Sequence, residues 1–219
     1  MRYQQVLDEI AEAAHRAGRR REEITLLVVS KGQSIEAIRE VYNQGQRLFG
    51  ENRVQELMGK KPLLPADIQW HLIGHLQTNK VKTILPHITL LHSLDRENLL
   101  QEITRRASTP LSCLIEVKIA QEQTKHGILP KEVDSFVEKV LKHPQITLKG
   151  FMGMASLTDD KSQIRREFRQ LYQIFRRTQQ RYPELPIDTL SMGMSNDFHI
   201  AIEEGSTLVR IGTAVFSSF

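Results

Sequence analysis

The stretch TLLVVSKG at residues 25–32 decides the fold. Five consecutive apolar or β-branched residues lead to Ser30 and Lys31, and a helical pattern follows at once. A short, uninterrupted run of this kind predicts a parallel strand that is buried on both faces. Parallel sheets and barrels bind ligands on the loops after their strands, so Lys31 would take the first loop position of the binding face. The residue also fits a lysine that merely covers the end of a core strand and contacts water.

Strand patterns and helical patterns alternate along the rest of the chain. The predicted strands comprise residues 25–29, 47–51, 68–74, 88–93, 111–119, 146–154, 188–193 and 206–212, with a helical pattern between each pair and an amphipathic one at 1–18. This alternation predicts an α/β fold, a single (β/α)8 TIM barrel of residues 1–219 with an extra N-terminal helix. A doubly wound open sheet is the alternative, but it usually carries a glycine-rich phosphate turn after its first strand, where this chain has Lys31.

The composition is that of an ordinary globular protein. With 40% apolar and 26% charged residues, a chain of 219 residues can bury a sizeable core. The net charge is only +4 and the aromatic share 6%, which does not favour nucleic-acid binding. Neither a secretory h-region nor a stretch long enough to cross a bilayer is present in the sequence. The single Cys113 lies in an apolar run and is expected to be a core residue, which favours a cytoplasmic location.

Small and hydroxyl-bearing residues follow the seventh and eighth predicted strands. Gly193 and Ser195 lie in SMGMSND, and Gly212 and Thr213 lie in RIGT. Barrels frequently bind a phosphate between these two loops, and Ser195 is expected to begin a helix there. One helix terminus contributes only about 0.3–1 kcal/mol to an exposed anion, so several donors must converge. Taken singly, Ser195 also fits a plain helix cap and Gly212 a plain turn residue.

Arg210 interrupts the apolar run of the eighth predicted strand. A buried guanidinium without a partner is strongly destabilising, so we expect a partner such as Glu51, Asp95 or a ligand acceptor. Two histidines, His71 and His75, are four residues apart on a strand-to-loop passage and need not share a face, so no metal site is expected. The other predicted strand ends are also polar, and they include Asn52, His92, Ser93 and Lys125.

One ligand matches the principal groups together. Pyridoxal 5′-phosphate (PLP) has an aldehyde for the amine of Lys31 and a phosphate for the loops after strands seven and eight. It also has a pyridine nitrogen that would face Arg210.

The chain further resembles the pyridoxal phosphate homeostasis proteins, a family that uses the barrel of alanine racemase without its second domain. The resemblance runs through VVSK, FGENRVQE, WHLIGHLQTNK, HSLD, SMGMSNDF, AIEEGST and VRIGTAVF. It implies that Lys31 holds PLP as a Schiff base. It also implies that Arg210 faces the pyridine nitrogen and that Asn52 lies near the ring. The phosphate would be held by Ser195, Gly212 and Thr213.

The resemblance implies a carrier or regulator that keeps PLP (vitamin B6) and amino acids in balance without evident catalysis. Its expected partners are PLP and PLP-dependent enzymes or a regulatory protein, and a monomer is expected. Catalysis should be weak because Arg210 disfavours protonation of the pyridine nitrogen. In addition, no tyrosine falls at a predicted strand end to serve as a second acid or base, and only six residues follow Thr213.

Three alternatives remain open from the sequence. The first is an amino-acid racemase or decarboxylase that uses the same cofactor. The second is an aldolase that uses Lys31 alone and holds a sugar phosphate, and the third is a protein-binding barrel whose lysine is incidental.

Overall fold

The computed structural model describes residues 2–121 and 126–217. Within these ranges eight parallel strands close into a barrel in chain order. They are β1 Thr25–Val29, β2 Leu48–Glu51, β3 Gln69–Leu72, β4 Leu90–Leu94, β5 Leu111–Glu116, β6 Ile146–Met152, β7 Thr189–Ser191 and β8 Leu208–Ile211. The first strand pairs with both β2 and β8, with Leu27 opposite Arg210. This closure confirms the predicted barrel and excludes the open sheet.

Helices surround the barrel. They are α1 Tyr3–Arg16, α2 Ile35–Asn43, α3 Val54–Lys60, α4 Val81–Ile84, α5 Glu97–Arg106, α6 Val133–Val140, α7 Lys161–Arg181, α8 Phe198–Glu203 and α9 Thr213–Phe216. The predicted N-terminal helix is α1, which packs against α8 and α9. None of the described helices is long and apolar enough to span a bilayer.

The barrel interior has an apolar layer below a polar one. Leu90 and Leu114 belong to a small buried cluster that is separate from the main core. His92 and Glu116 lie two residues further along the same strands, and alternate residues of a strand share a face. A hydrogen bond joins His92 on β4 to Ser191 on β7. Since these two strands are not neighbours, the bond crosses the interior. His92, Glu116 and Ser191 lie near the carboxyl ends of their strands, so the polar layer is at that end of the barrel.

The sequence also predicts helix starts at Asn52 and Asp95, in addition to the one at Ser195, and these three starts are wrong. The helices α3, α5 and α8 begin two or three residues later, at Val54, Glu97 and Phe198. At two of the three positions the structure shows the physical reason. Asp95 binds Arg96, whereas Asp197 rather than Ser195 closes the turn before α8 by accepting from the N–H of Met194 at 2.6 Å. The short helix α9, which begins at Thr213, has no counterpart among the predicted helices.

Candidate functional site

Lys31 lies where the sequence predicts it, just beyond β1 at the carboxyl end of the barrel, and it is exposed. Both of its chain neighbours are held in place. The carbonyl of Ser30 accepts a hydrogen bond from Lys60 Nζ at 2.7 Å, and the N–H of Gly32 donates to Glu56 Oε1 at 2.6 Å. Gly32 has a φ of 73°, which favours glycine. The backbone on each side of Lys31 is therefore fixed while its amine is free to reach the barrel mouth.

A second lysine, Lys60 on α3, organises the carboxylates below Lys31. Its Nζ contacts Glu51 Oε1 at 2.7 Å and Glu56 Oε1 at 2.6 Å. Glu51 is fully buried and also accepts from Ser30 Oγ at 2.6 Å. Burial raises the pKa of Glu51, although the hydrogen bonds from Lys60 and Ser30 oppose that rise. Burial also acts to raise the pKa of Glu56, but hydrogen bonds from Lys60 and Gly32 outweigh it, so the pKa is lowered.

The loops after β7 and β8 lie beside the end of β1. A Cβ on Gly212 would lie 2.8 Å from the carbonyl oxygen of Val29, so only glycine allows the chain to approach so closely here. Gly193 has a φ of 98°, and its carbonyl accepts from the N–H of Arg210 at 2.9 Å. These contacts bring the loops that carry Ser195, Gly212 and Thr213 to the end of the barrel at which Lys31 lies. Because α8 and α9 are short and α8 starts after Ser195, the donors available there are hydroxyls and loop N–H groups.

Arg210 is buried, as expected, but the two expected carboxylate partners, Glu51 and Asp95, are wrong. Its NH1 donates to the carbonyl and the hydroxyl of Ser191 at 2.8 and 2.7 Å, and its NH2 donates to the carbonyl of Gly153 at 3.1 Å. Glu51 is taken by Lys60, and Asp95 by Arg96. Burial lowers the pKa of Arg210 to about 10, while the charges of Asp197 and Glu116 oppose that shift. The guanidinium thus remains charged at neutral pH.

The polar layer continues from Arg210 across the interior. Ser191 Oγ lies 2.9 Å from His92 Nδ1, and His92 Nε2 lies 3.0 Å from His71 Nδ1. Burial lowers the pKa of His71 to about 4 and that of His92 well below its ordinary value. Both imidazoles are therefore neutral at physiological pH. This row fixes one side of the Arg210 guanidinium through side chains of three other strands.

Asn52 follows β2, and its side-chain Oδ1 is buried without a hydrogen-bond partner in the described part of the chain. Gly74 packs tightly against the same residue, since a Cβ there would lie 2.1 Å from the Asn52 carbonyl oxygen. A buried polar atom without a partner is costly. The geometry therefore leaves a place for a ligand donor beside Asn52.

Glu116 is a candidate functional residue that the sequence prediction missed. It ends β5, it is buried, and burial together with the charge of Asp95 raises its pKa to about 7. The charge of Arg210 acts in the opposite direction, which indicates that the two groups face the same interior. The available signal was the one used for Arg210, because Glu116 also interrupts an apolar strand, LIEVKI.

The two histidines of the third strand and its loop, His71 and His75, lie in different surroundings. His71 belongs to the interior row, whereas His75 lies on the loop after β3, near Asp95 and His126. The two histidines therefore lie in different parts of the molecule. Lys125, the polar residue predicted after the fifth strand, lies outside the described residues.

Comparison with known proteins identifies the family. A model of the alanine racemase N-terminal domain matches residues 5–218. The pyridoxal phosphate homeostasis protein of Aquifex aeolicus (strain VF5) is 42% identical over 219 residues, which span 98% of this chain and 96% of that protein. The chain belongs to the pyridoxal phosphate homeostasis protein family.

Solved structures agree with this membership of the pyridoxal phosphate homeostasis protein family. PipY of Synechococcus elongatus PCC7942 with PLP bound is 33% identical and has a TM-score of 0.82, over 95% of this chain and 100% of that one. Alanine racemase from Corynebacterium glutamicum is only 15% identical, with a TM-score of 0.74 over 97% of this chain and 62% of that one. The racemase shares the barrel fold.

Proposed function

We propose that this protein binds PLP reversibly, attached covalently to Lys31, and acts as a carrier or regulator in PLP and amino-acid homeostasis. The observation that carries the proposal is the convergence at one barrel end of the exposed amine of Lys31, the glycine-lined loop at Gly212 and the buried guanidinium of Arg210. The structure of PipY with PLP bound supports the choice of ligand.

The residues present fit the cofactor chemically. The partnerless Oδ1 of Asn52 would accept a hydrogen bond from a polar group of the ring. Ser195 and Thr213 would supply hydroxyl donors to the phosphate, and Gly212 would let the phosphate approach the backbone N–H groups. PLP itself supplies a reactive aldehyde and an electron-withdrawing ring.

The guanidinium of Arg210 would face the pyridine nitrogen. Three of its five N–H groups donate to Ser191 and Gly153, which leaves two for a ligand. A permanent cation beside the pyridine nitrogen disfavours its protonation, so the bound ring would be a weak electron acceptor. This environment suits storage of the cofactor better than turnover of amino acids.

Covalent binding at Lys31 is tested by adding PLP to the full-length protein, reducing with borohydride and mapping the peptides. We expect a visible absorption band and a modification at Lys31. Lys31→Ala should lose both signals, whereas Lys142→Ala, a matched change of an exposed lysine after α6, should keep them. A colourless wild-type protein that takes up no PLP contradicts the proposal.

Glu116 is the observation that favours a second candidate, amino-acid racemisation. A buried carboxyl with a pKa of about 7 has the properties of a general acid or base. The other expected source, a tyrosine at a strand end, is missing from the described strands: Tyr3, Tyr42 and Tyr172 lie on surrounding helices and Tyr182 directly after α7.

The two candidates separate in deuterated water. The loaded protein is incubated with L-alanine, and we expect negligible deuterium at the α-carbon. Multiple turnovers of exchange that disappear in both Lys31→Ala and Glu116→Gln would favour the racemase. We further propose a cytoplasmic monomer that delivers PLP to PLP-dependent enzymes or a regulatory protein, and light scattering of the loaded protein tests the monomer.

A further inference from the structure

We infer that His75, Asp95 and His126 form a binding site for a divalent transition-metal ion such as Zn²⁺ at the barrel mouth. The three residues come from the loops after β3, β4 and β5. One ligand atom from each lies within 4.8 Å of the other two. The site is distinct from the residues proposed to hold PLP, and the inference does not depend on that proposal.

The spacing of the first two ligand atoms matches a metal ion better than a direct hydrogen bond. His75 Nδ1 lies 3.4 Å from Asp95 Oδ2. Good N–H···O hydrogen bonds have donor–acceptor distances of about 2.7–3.2 Å. Tetrahedral Zn²⁺ with bonds of about 2.0–2.2 Å places neighbouring ligand atoms about 3.3–3.6 Å apart. The two atoms are thus at the separation that a bound Zn²⁺ would impose.

His126 is the third ligand residue. Its ring stacks on that of His75, with 4.4 Å between the ring centroids and 26° between the planes. The backbone that follows it is anchored. A Cβ on Gly127 would lie 2.7 Å from the backbone N of Lys118, so the two segments pack closely. The N–H of Ile128 donates to the Glu116 carbonyl at 2.8 Å. Imidazole nitrogens bind a metal in the plane of the ring, so the exposed His126 ring would have to turn out of this stack to share an ion with His75.

Asp95 already has the support that metal-binding carboxylates usually have. Its Oδ1 accepts from Arg96, whose NH2 also donates to the Leu76 carbonyl at 2.7 Å. This leaves Oδ2 directed at His75, and ligating carboxylates are commonly held by such outer contacts. The nearby guanidinium weakens the attraction for a cation, so we expect ordinary rather than extreme affinity.

The donor set selects the class of ion. Two imidazoles and one carboxylate suit Zn²⁺, Co²⁺, Ni²⁺ or Fe²⁺, whereas Mg²⁺ and Ca²⁺ prefer oxygen ligands. Three protein ligands leave at least one coordination position for water or another ligand. The inference departs from the expectation drawn from the sequence, which considered His71 with His75. Sequence spacing gave no sign that His75 would meet residues of the next two loops.

The test is Zn²⁺ binding to the full-length protein without added PLP, measured by competition with a chromophoric chelator. We expect one Zn²⁺ per chain, and Mg²⁺ in large excess should not displace it. His75→Gln and His126→Gln should each weaken binding at least about tenfold, because loss of a direct ligand costs no less than loss of an outer contact. Co²⁺ should give visible absorption bands in the wild type that both variants lose.

The matched control is His15→Gln, which removes an exposed histidine of α1 far from the barrel mouth and should leave Zn²⁺ affinity unchanged. Thermal unfolding without metal confirms that each variant is folded, and His126 is exposed, so its replacement does not disturb the core. The inference is overturned if the wild type shows no saturable Zn²⁺ binding. It is also overturned if both folded variants bind Zn²⁺ as tightly as the wild type.

Discussion

Replacing Lys60 with methionine should be one of the most damaging single changes near Lys31. Methionine has nearly the length of the lysine side chain, so the change removes the charge and little volume. Its Nζ lies 2.7 Å from Glu51 Oε1, and the Glu51 side chain is fully buried. Removing one partner of a buried ion pair costs about 3–5 kcal/mol, because the other charge stays buried without compensation. We therefore expect Lys60→Met to lower the free energy of unfolding by about 3–5 kcal/mol at pH 8.

The cost should depend on pH with a definite sign. Burial already raises the pKa of Glu51, and loss of Lys60 removes a hydrogen bond that opposes that rise. A carboxyl whose pKa is higher in the folded than in the unfolded state is stabilising at low pH and loses that contribution as the pH rises towards the folded value. The loss caused by Lys60→Met should therefore grow between pH 5.5 and 8, by up to about 1.4 kcal/mol per pH unit.

The assay is urea denaturation at pH 5.5 and pH 8. The double variant Glu51→Gln/Lys60→Met should recover at least half of the lost stability, since it removes both charges and retains an acceptor for Ser30 Oγ. Lys61→Met is the matched control. Lys61 donates to the main-chain carbonyl of His87 rather than to a carboxylate, so its replacement should cost at most about 1.5 kcal/mol at either pH. A loss for Lys60→Met below about 1 kcal/mol at pH 8, or one that is equal at both pH values, would refute the reasoning.

Three further changes test other parts of the structure. Gly193→Ala should lower the free energy of unfolding, measured by urea denaturation, by at least about 1 kcal/mol more than Gly45→Ala. Both glycines have a positive φ, but of the two only a Cβ at Gly193 would meet a neighbour, Ala201 Cβ, at 2.6 Å. Equal losses would show that the loop relaxes. Burial, with the charge of Asp95, raises the pKa of Glu116 to about 7, so the free energy of unfolding should fall as the pH rises from about 4.3 to 7. Glu116→Gln should remove up to about 3 kcal/mol of that fall. Parallel pH profiles of the two proteins would contradict the assignment. Burial raises the pKa of the Cys113 thiol, so it should react with a disulfide reagent no faster than the protein unfolds, and rapid reaction of the native protein would show an opening that the structure lacks.

The barrel was predictable because its signals are local. Short apolar runs such as 25–29 alternate with helical patterns, and closure follows once eight such units are present. Arg210 was also recognisable as buried, since a charge inside an apolar strand has few other places to lie. Its partners were not, because they depend on which residues of the neighbouring strand β7 and of the chain just after β6 lie level with Arg210, and the sequence does not give that register.

The side-chain constellations were much less predictable. Asn52 and Ser195 have the residue types of helix caps, and only the three-dimensional position of the helix start shows that they do not cap. Glu116 carried the same signal as Arg210 and was overlooked. The approach of His75 to Asp95 and His126 depends on three loop conformations, and no spacing within the sequence encodes the distance between loops that follow different strands.

The row from Arg210 to His71 can be satisfied by hydrogens that all point away from the arginine. The guanidinium donates to Ser191 Oγ, and when that hydroxyl donates in turn to His92 Nδ1, His92 donates through Nε2 to His71 Nδ1. In this arrangement both neutral imidazoles carry their proton on Nε2. The guanidinium itself has only donors, so a ligand atom that meets it must be an acceptor. Under the proposed function, this site would admit an unprotonated pyridine nitrogen and reject its protonated form.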